Sequence, residues 1–222
     1  MIDQKVVFRN AARYLGYRGR ALPAGAEGLM ESAYKELLSA AAPKALLKRC
    51  RVACGPEGFV LDTLPPLPSQ DLLRLFHGAS EGYALLATLG AEVDMSIARL
   101  MLVNPALGAA LGACASAYID EIIDERLERE AGKLRGEGLT FSPRFSPGYG
   151  DVPLTYQRPL LAYLEARRIG VRLTESCLML PEKSVSALLA LRPAEEGASP
   201  LKGCEGCAMK HCAYRKGIED EA

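Results

Sequence analysis

From Ala91 to Arg135 the chain offers one long helical region whose two halves need different surroundings, and any fold must cover one half and wet the other. Asn104-Pro105 interrupts it, because proline opens a helix readily but does not fit inside one. Residues 106 to 119 are almost all small or apolar, and Gly108, Gly112, Ala113, Ala115 and Ala117 permit close packing against a sheet or another helix. Residues 120 to 135 are charge-dense, with Glu125 and Arg129 at the favourable i,i+4 spacing of a solvated face.

Around this helix the hydrophobic period switches repeatedly. Residues 3 to 15 and 26 to 42 read as helices, the second ended by Pro43. Residues 44 to 54 and 58 to 64 read as strands joined at Gly55-Pro56-Glu57-Gly58. Pro65, Pro66 and Pro68 form a stiff connection, after which Ser69 caps a short helix to Phe76 with Asp71 in its first turn. Strands are expected at 82 to 90, 171 to 176 and 184 to 191, and a helix from Pro153 to Ile169. Strands in hairpins and helices in blocks favour an α+β fold with a largely antiparallel sheet.

With 222 residues, 49% of them hydrophobic, the chain can bury a substantial core. We expect one domain over residues 1 to 192, then a linker and a cysteine-rich tail over 193 to 222. Lys+Arg and Asp+Glu both number 27, and this balance argues against a nucleic-acid protein, whose footprint is a basic excess. The start lacks the basic-then-apolar pattern of a secretory signal, and no apolar run is expected to reach the roughly 18 to 20 residues that cross a bilayer. The expectation is a cytoplasmic protein without membrane contact, its seven cysteines held as thiols or metal ligands.

The segment Arg144-Phe145-Ser146-Pro147-Gly148-Tyr149-Gly150-Asp151 sets one fixed cation beside a loop with little side-chain cover. Pro147 fixes its own φ, and Gly148 and Gly150 remove side chains where a ligand would approach the main chain. Backbone N–H groups and a guanidinium suit a carboxylate, although a plain proline-glycine turn fits the same residues.

Downstream come Leu173-Thr174-Glu175-Ser176 and then Met179-Leu180-Pro181-Glu182-Lys183-Ser184-Val185-Ser186. In this order and spacing the motifs resemble the activation (reactivation) domain of cobalamin-dependent methionine synthase, and more closely its stand-alone bacterial relatives. Tyr14-Leu15-Gly16-Tyr17-Arg18-Gly19 and Thr88-Leu89-Gly90 also look like the stand-alone branch, so the resemblance spans most of residues 1 to 190.

The resemblance implies a twisted antiparallel sheet flanked by helices and a shallow S-adenosylmethionine site that faces a partner's cobalamin. It implies a role in reductive methylation, which returns oxidised cobalamin to the methyl-transfer cycle. Arg144 is then the candidate for the ligand's carboxylate, with Ser146, Gly148 and Tyr149 as the adjoining wall. Asp120 falls where an acidic helix residue of the family meets the ligand, or else begins a solvated face. The implied partners are the cobalamin-binding domain of a methionine synthase, or another corrinoid protein, and an electron donor such as flavodoxin or ferredoxin. No cobalamin-binding Asp-x-His-x-x-Gly motif is present, so the corrinoid is expected on another polypeptide.

Such a role needs geometry more than a side-chain base, which accords with the presence of only His77 and His211. Where full-length family members set aromatic residues near the ligand, this chain has Leu188, Leu189 and Ala190, so a stacking surface is missing. Glu175 and Ser176 read as a strand-end pair holding their loop.

The tail adds Cys204-x2-Cys207-x4-Cys212, three thiols whose closeness suits zinc or an iron–sulfur cluster with a fourth ligand from elsewhere, or else reduced cysteines. Cys50 and Cys54 share a strand face and are expected as buried small hydrophobes, and Cys114, Cys177, Met95, Met101 and Met179 as core. Besides the activation-domain reading, a non-catalytic corrinoid-docking module and an electron-transfer protein centred on the tail cysteines remain open.

Overall fold

The computed structural model describes residues 2–17, 20 and 22–194. Two helices come first, α1 (Gln4–Tyr14) and α2 (Ala26–Ala40), followed by a hairpin of β1 (Lys44–Gly55) and β2 (Gly58–Leu61). Next are α3 (Gln70–Leu75), β3 (Glu81–Thr88), α4 (Ala91–Val103) and α5 (Pro105–Gly136). The chain continues through β4 (Leu139–Phe141), α6 (Gln157–Tyr163), the short pair β5 (Arg172–Leu173) and β6 (Met179–Leu180), and β7 (Ser184–Pro193).

Local chemistry sets the boundaries. The Asp3 carboxylate accepts from the Lys5 N–H at 2.8 Å to open α1, Ser69 Oγ accepts from the Leu72 N–H at 3.0 Å to open α3, and Asn104 Oδ1 accepts from the Leu107 N–H at 3.2 Å to open α5 behind Pro105. The β1–β2 hairpin pairs Gly55 with Gly58. Gly58 has φ +117, and a Cβ there would sit 2.4 Å from the Leu67 carbonyl oxygen, so only glycine fits.

The main sheet runs β2-β1-β3-β7-β4 with every pairing antiparallel, in agreement with the α+β expectation. Its central strand β3 is buried on both faces and separates two cores. Tyr83, Leu85 and Ala87, with Leu189 and Leu191 of β7, face α1, α2, α4 and α5. Ala84 and Leu86, with Leu188 and Ala190, face Phe59, Phe76, Val152, Tyr156 and Leu160 on the other side. The period-2 alternation of a strand thus sorts one run of apolar residues into two layers.

Several expectations are corrected. The region 153–169 is not one helix: a 3-10 turn at Leu154–Tyr156, α6 and a second 3-10 turn at Ala166–Ile169 follow in series. Pro159 has no N–H and is tolerated only in the first turn of α6, and Glu165 at φ +53 breaks the continuation. Residues 171 to 176 give only two strand residues, because a turn held at Thr174 leads to Cys177 at φ +64. β4 completes the sheet edge beyond the sequence-based expectations.

Met95 and Met101 are 54% and 47% exposed, on the outer side of α4 rather than in the core. Cys54 is exposed because β1 projects past its cover, whereas Cys50 and Cys114 are buried and their thiols are pushed up to about 12 by burial. Leu188, Leu189 and Ala190 lie inside β7 at 1%, 1% and 0% exposure, so they form no surface at all. Nor is the chain free of apolar runs of membrane-crossing length: α5 contains one by length and composition, half of it buried within the fold against the other helices and β3.

Candidate functional site

Past β4 the chain stays beside β7: Phe145 and Leu188 exchange backbone hydrogen bonds of 2.9 and 2.8 Å. This isolated bridge turns the Phe145 ring towards the second core and leaves Arg144 to reach the helical layer. Arg144 Nη2 lies 3.1 Å from Asp120 Oδ1 and 3.5 Å from Asp124 Oδ1, one helical turn apart on α5. Arg144 and Asp120 are about one-fifth exposed, whereas Asp124 is half exposed. The acidic start of the wet half of α5 therefore meets the fixed cation of the loop. Both contacts run through Nη2, and among the described residues no hydrogen bond involves Arg144 Nε or Nη1.

Tyr14, the last residue of α1, donates its hydroxyl to Asp120 Oδ2 at 3.0 Å. Burial, and then the Asp120 charge, raise this phenol above its ordinary range, so it stays a protonated donor. Tyr149 is close enough to perturb it electrostatically and is itself 64% exposed. Three parts of the chain thus converge: the end of α1, the middle of α5 and the loop after β4.

The loop is held from outside as well as from within. The N–H groups of Gly148, Tyr149 and Val152 donate to Val152, Ser146 and Tyr149 carbonyls. The Asp151 carboxylate caps α3 from a distance, accepting from Ser69 Oγ at 2.5 Å and the Gln70 N–H at 2.6 Å. Those donors, Ser69 first, hold its carboxyl below the usual carboxylate range. Gly150 has φ +55, and a Cβ there would fall 2.0 Å from Asp71 Oδ2, so the close crossing of loop and helix requires glycine.

The expectation of a loop with bare backbone is therefore narrowed: within 145–152, Phe145, Gly148, Tyr149, Asp151 and Val152 spend their N–H groups internally, and Ser146 and Gly150 are what remain to offer. Gly148 and Tyr149 are exposed and Ser146 partly so. Among the described residues, neither of the two concavities on α5 is lined by them. These shallow concavities lie elsewhere on α5, one of about 190 Å³ between Ala45 and Arg126, the other of about 230 Å³ among Asp3, Glu121, Asp124 and Glu128. The second adjoins the candidate site through Asp124.

The Leu-Thr-Glu-Ser segment forms the turn between β5 and β6. Thr174 holds it, its hydroxyl accepting from the Leu178 N–H at 3.0 Å and lying 2.9 Å from Ser176 Oγ, while Arg158 donates to the Glu175 carbonyl. Thr174 and Ser176, rather than the Glu175 side chain, tie the loop. Cys204, Cys207 and Cys212 lie outside the described residues; among the described residues no cluster of three metal-ligating side chains occurs.

Sequence alone brought Arg144 and Asp120 forward separately but not their pairing, and it gave Tyr14 no role. The signal was present, since Tyr14 stands in the Tyr-Leu-Gly-Tyr segment singled out by resemblance.

An α+β domain with an antiparallel sheet and a solvent-facing charged edge defines the class. Residues 138–196 match the model of the vitamin B12 dependent methionine synthase activation domain. The matched span includes Arg144, the loop and all of β7. Thirteen chains of solved structures match the fold. One, described as the MetH reactivation domain bound to AdoHcy, is similar with a TM-score of 0.57 and 16% identity over 81% of this chain and 70% of that chain. No curated protein sequence matches.

Proposed function

We propose that this protein supports reductive reactivation of cobalamin held by a partner corrinoid protein, with S-adenosylmethionine as methyl donor. The observation that carries the reading is the meeting of Arg144 and Asp120 at 3.1 Å inside a domain whose matched segment is that of the activation-domain family. An amino-acid headgroup carries both signs of charge, and a guanidinium edge beside a carboxylate is complementary to it. Ser146, Gly148 and Tyr149 would line the same ligand, the tyrosine as an exposed ring.

The partner's corrinoid would supply the nucleophile, an external donor such as flavodoxin or ferredoxin one electron, and the sulfonium its methyl group, with S-adenosylhomocysteine as leaving group. This chain's residues would bind and orient the donor at a solvent-facing edge, where a second protein can approach. The partner would be the cobalamin-binding domain of a methionine synthase, and the compartment the cytoplasm. Zinc or an iron–sulfur cluster at Cys204, Cys207 and Cys212 belongs to the same proposal as an accessory site.

A second reading is favoured by one observation. Among the described residues, Arg144 already has two carboxylate neighbours, as a docking module without a small ligand would. Remethylation separates the two. With a corrinoid partner, a reductant and S-adenosylmethionine, the first reading expects methyl transfer that depends on this protein and is lost in Arg144→Gln. Partner binding unchanged in that variant, without methyl transfer by either protein, would favour docking.

A further inference from the structure

We propose that Tyr14 is a positioning residue for the methyl donor's carboxylate, acting through Asp120; the inference rests on the functional reading above. Asp120 has two oxygens and Arg144 a planar fork, and left alone the two would close into a bidentate pair that occupies the guanidinium. Tyr14 prevents this closure. Its hydroxyl engages Oδ2 at 3.0 Å while Oδ1 alone meets Arg144 Nη2 at 3.1 Å. The carboxylate is split between two donors, and Arg144 keeps the N–H groups of Nε and Nη1 for an incoming anion.

The placement suits that task. Tyr14 ends α1, a helix packed along α5 with Val7 and Ala11 fully buried, so its ring is anchored by the core rather than by the loop it serves. Arg13 stacks on the same ring at 5.8 Å from its centroid, and the phenol remains protonated throughout the physiological range because burial and the neighbouring Asp120 charge both oppose ionisation. Tyr149 stands beside it from the loop. A hydroxyl that merely satisfied a buried carboxylate would affect all ligands alike. One that keeps the guanidinium open affects ligands that carry a carboxylate.

The test is calorimetric titration of wild type and Tyr14→Phe with S-adenosylmethionine and with its decarboxylated analogue. We expect Tyr14→Phe to weaken S-adenosylmethionine about tenfold and to leave the decarboxylated ligand unchanged, a shift equal to loss of one charge-assisted hydrogen bond. The Asp120→Asn background gives an independent check: there Tyr14→Phe should add no further loss. Equal weakening of both ligands, no weakening, or additive losses in the double variant would overturn the role of Tyr14 while leaving the functional reading standing. Wild-type protein that binds neither ligand would remove that reading and this inference together. Should the melting temperature of Tyr14→Phe fall, Tyr14→Met is read the same way.

Discussion

Asp71 and Asp151 hold each other's backbone: the Asp151 N–H donates to Asp71 Oδ2 at 3.1 Å, and the Asp71 N–H lies 3.4 Å from both oxygens of Asp151. Eighty positions apart in sequence, the two clamp the candidate loop onto the start of α3. Because the Asp151 carboxyl is held below its usual range, the stability it contributes is fully present above the unfolded value, about 4, and is lost as pH falls through the folded one. Asp151 is solvent-exposed, so the contribution is screened, and Asp151→Asn should cost about 1 kcal/mol at neutral pH. Urea midpoints of the two proteins should converge between pH 5 and about pH 2; a gap independent of pH would show that the carboxylate is not the source.

Gly150→Ala should be more disruptive than its size suggests. The methyl would need the space of Asp71 Oδ2 at a φ of +55, so loop or clamp must shift. We expect about 1 to 3 kcal/mol of destabilisation by urea denaturation and weakened donor binding. Wild-type stability would refute the close crossing.

The two cores should respond as separate packed layers. Phe76, fully buried and 4.6 Å ring to ring from Phe59, anchors the layer beneath the loop, and Leu111 the helical layer. Phe76→Ala should cost about 3 to 5 kcal/mol and Leu111→Ala about 2 to 5, with additivity in the double variant because the sheet lies between them. A strongly non-additive denaturation result would mean that the layers communicate.

Native thiol labelling followed by peptide mapping should find Cys54 modified quickly, with Cys50, Cys114 and Cys177 protected, in line with their burial. Fast labelling of Cys50 would contradict the β1 register, which pairs it with Gly82 on the covered part of the strand.

What the sequence made legible was what neighbours decide. Asn104-Pro105 marked the α4–α5 break because cap and ring act within one turn, and Ser69 marked α3 for the same reason. The strands β1, β3 and β7 were visible as apolar runs, but their order depends on antiparallel registers that no local signal carries. The exposure of Met95 and Met101 followed from which face of α4 meets α2 and α5, a matter of assembly. The same holds at the site. Arg144 and Asp120 were separately visible as a loop cation and a helix acid, while the Tyr14–Asp120–Arg144 chain joins residues more than a hundred positions apart and exists only once α1 lies along α5.

The most direct test of the central claim is calorimetric titration of the reduced protein with S-adenosylmethionine, beside Arg144→Gln with its fold verified by thermal melting. The account predicts saturable binding in the wild type that is lost in the variant. Binding that survives the substitution, or none at millimolar ligand with the wild-type protein folded, would contradict it.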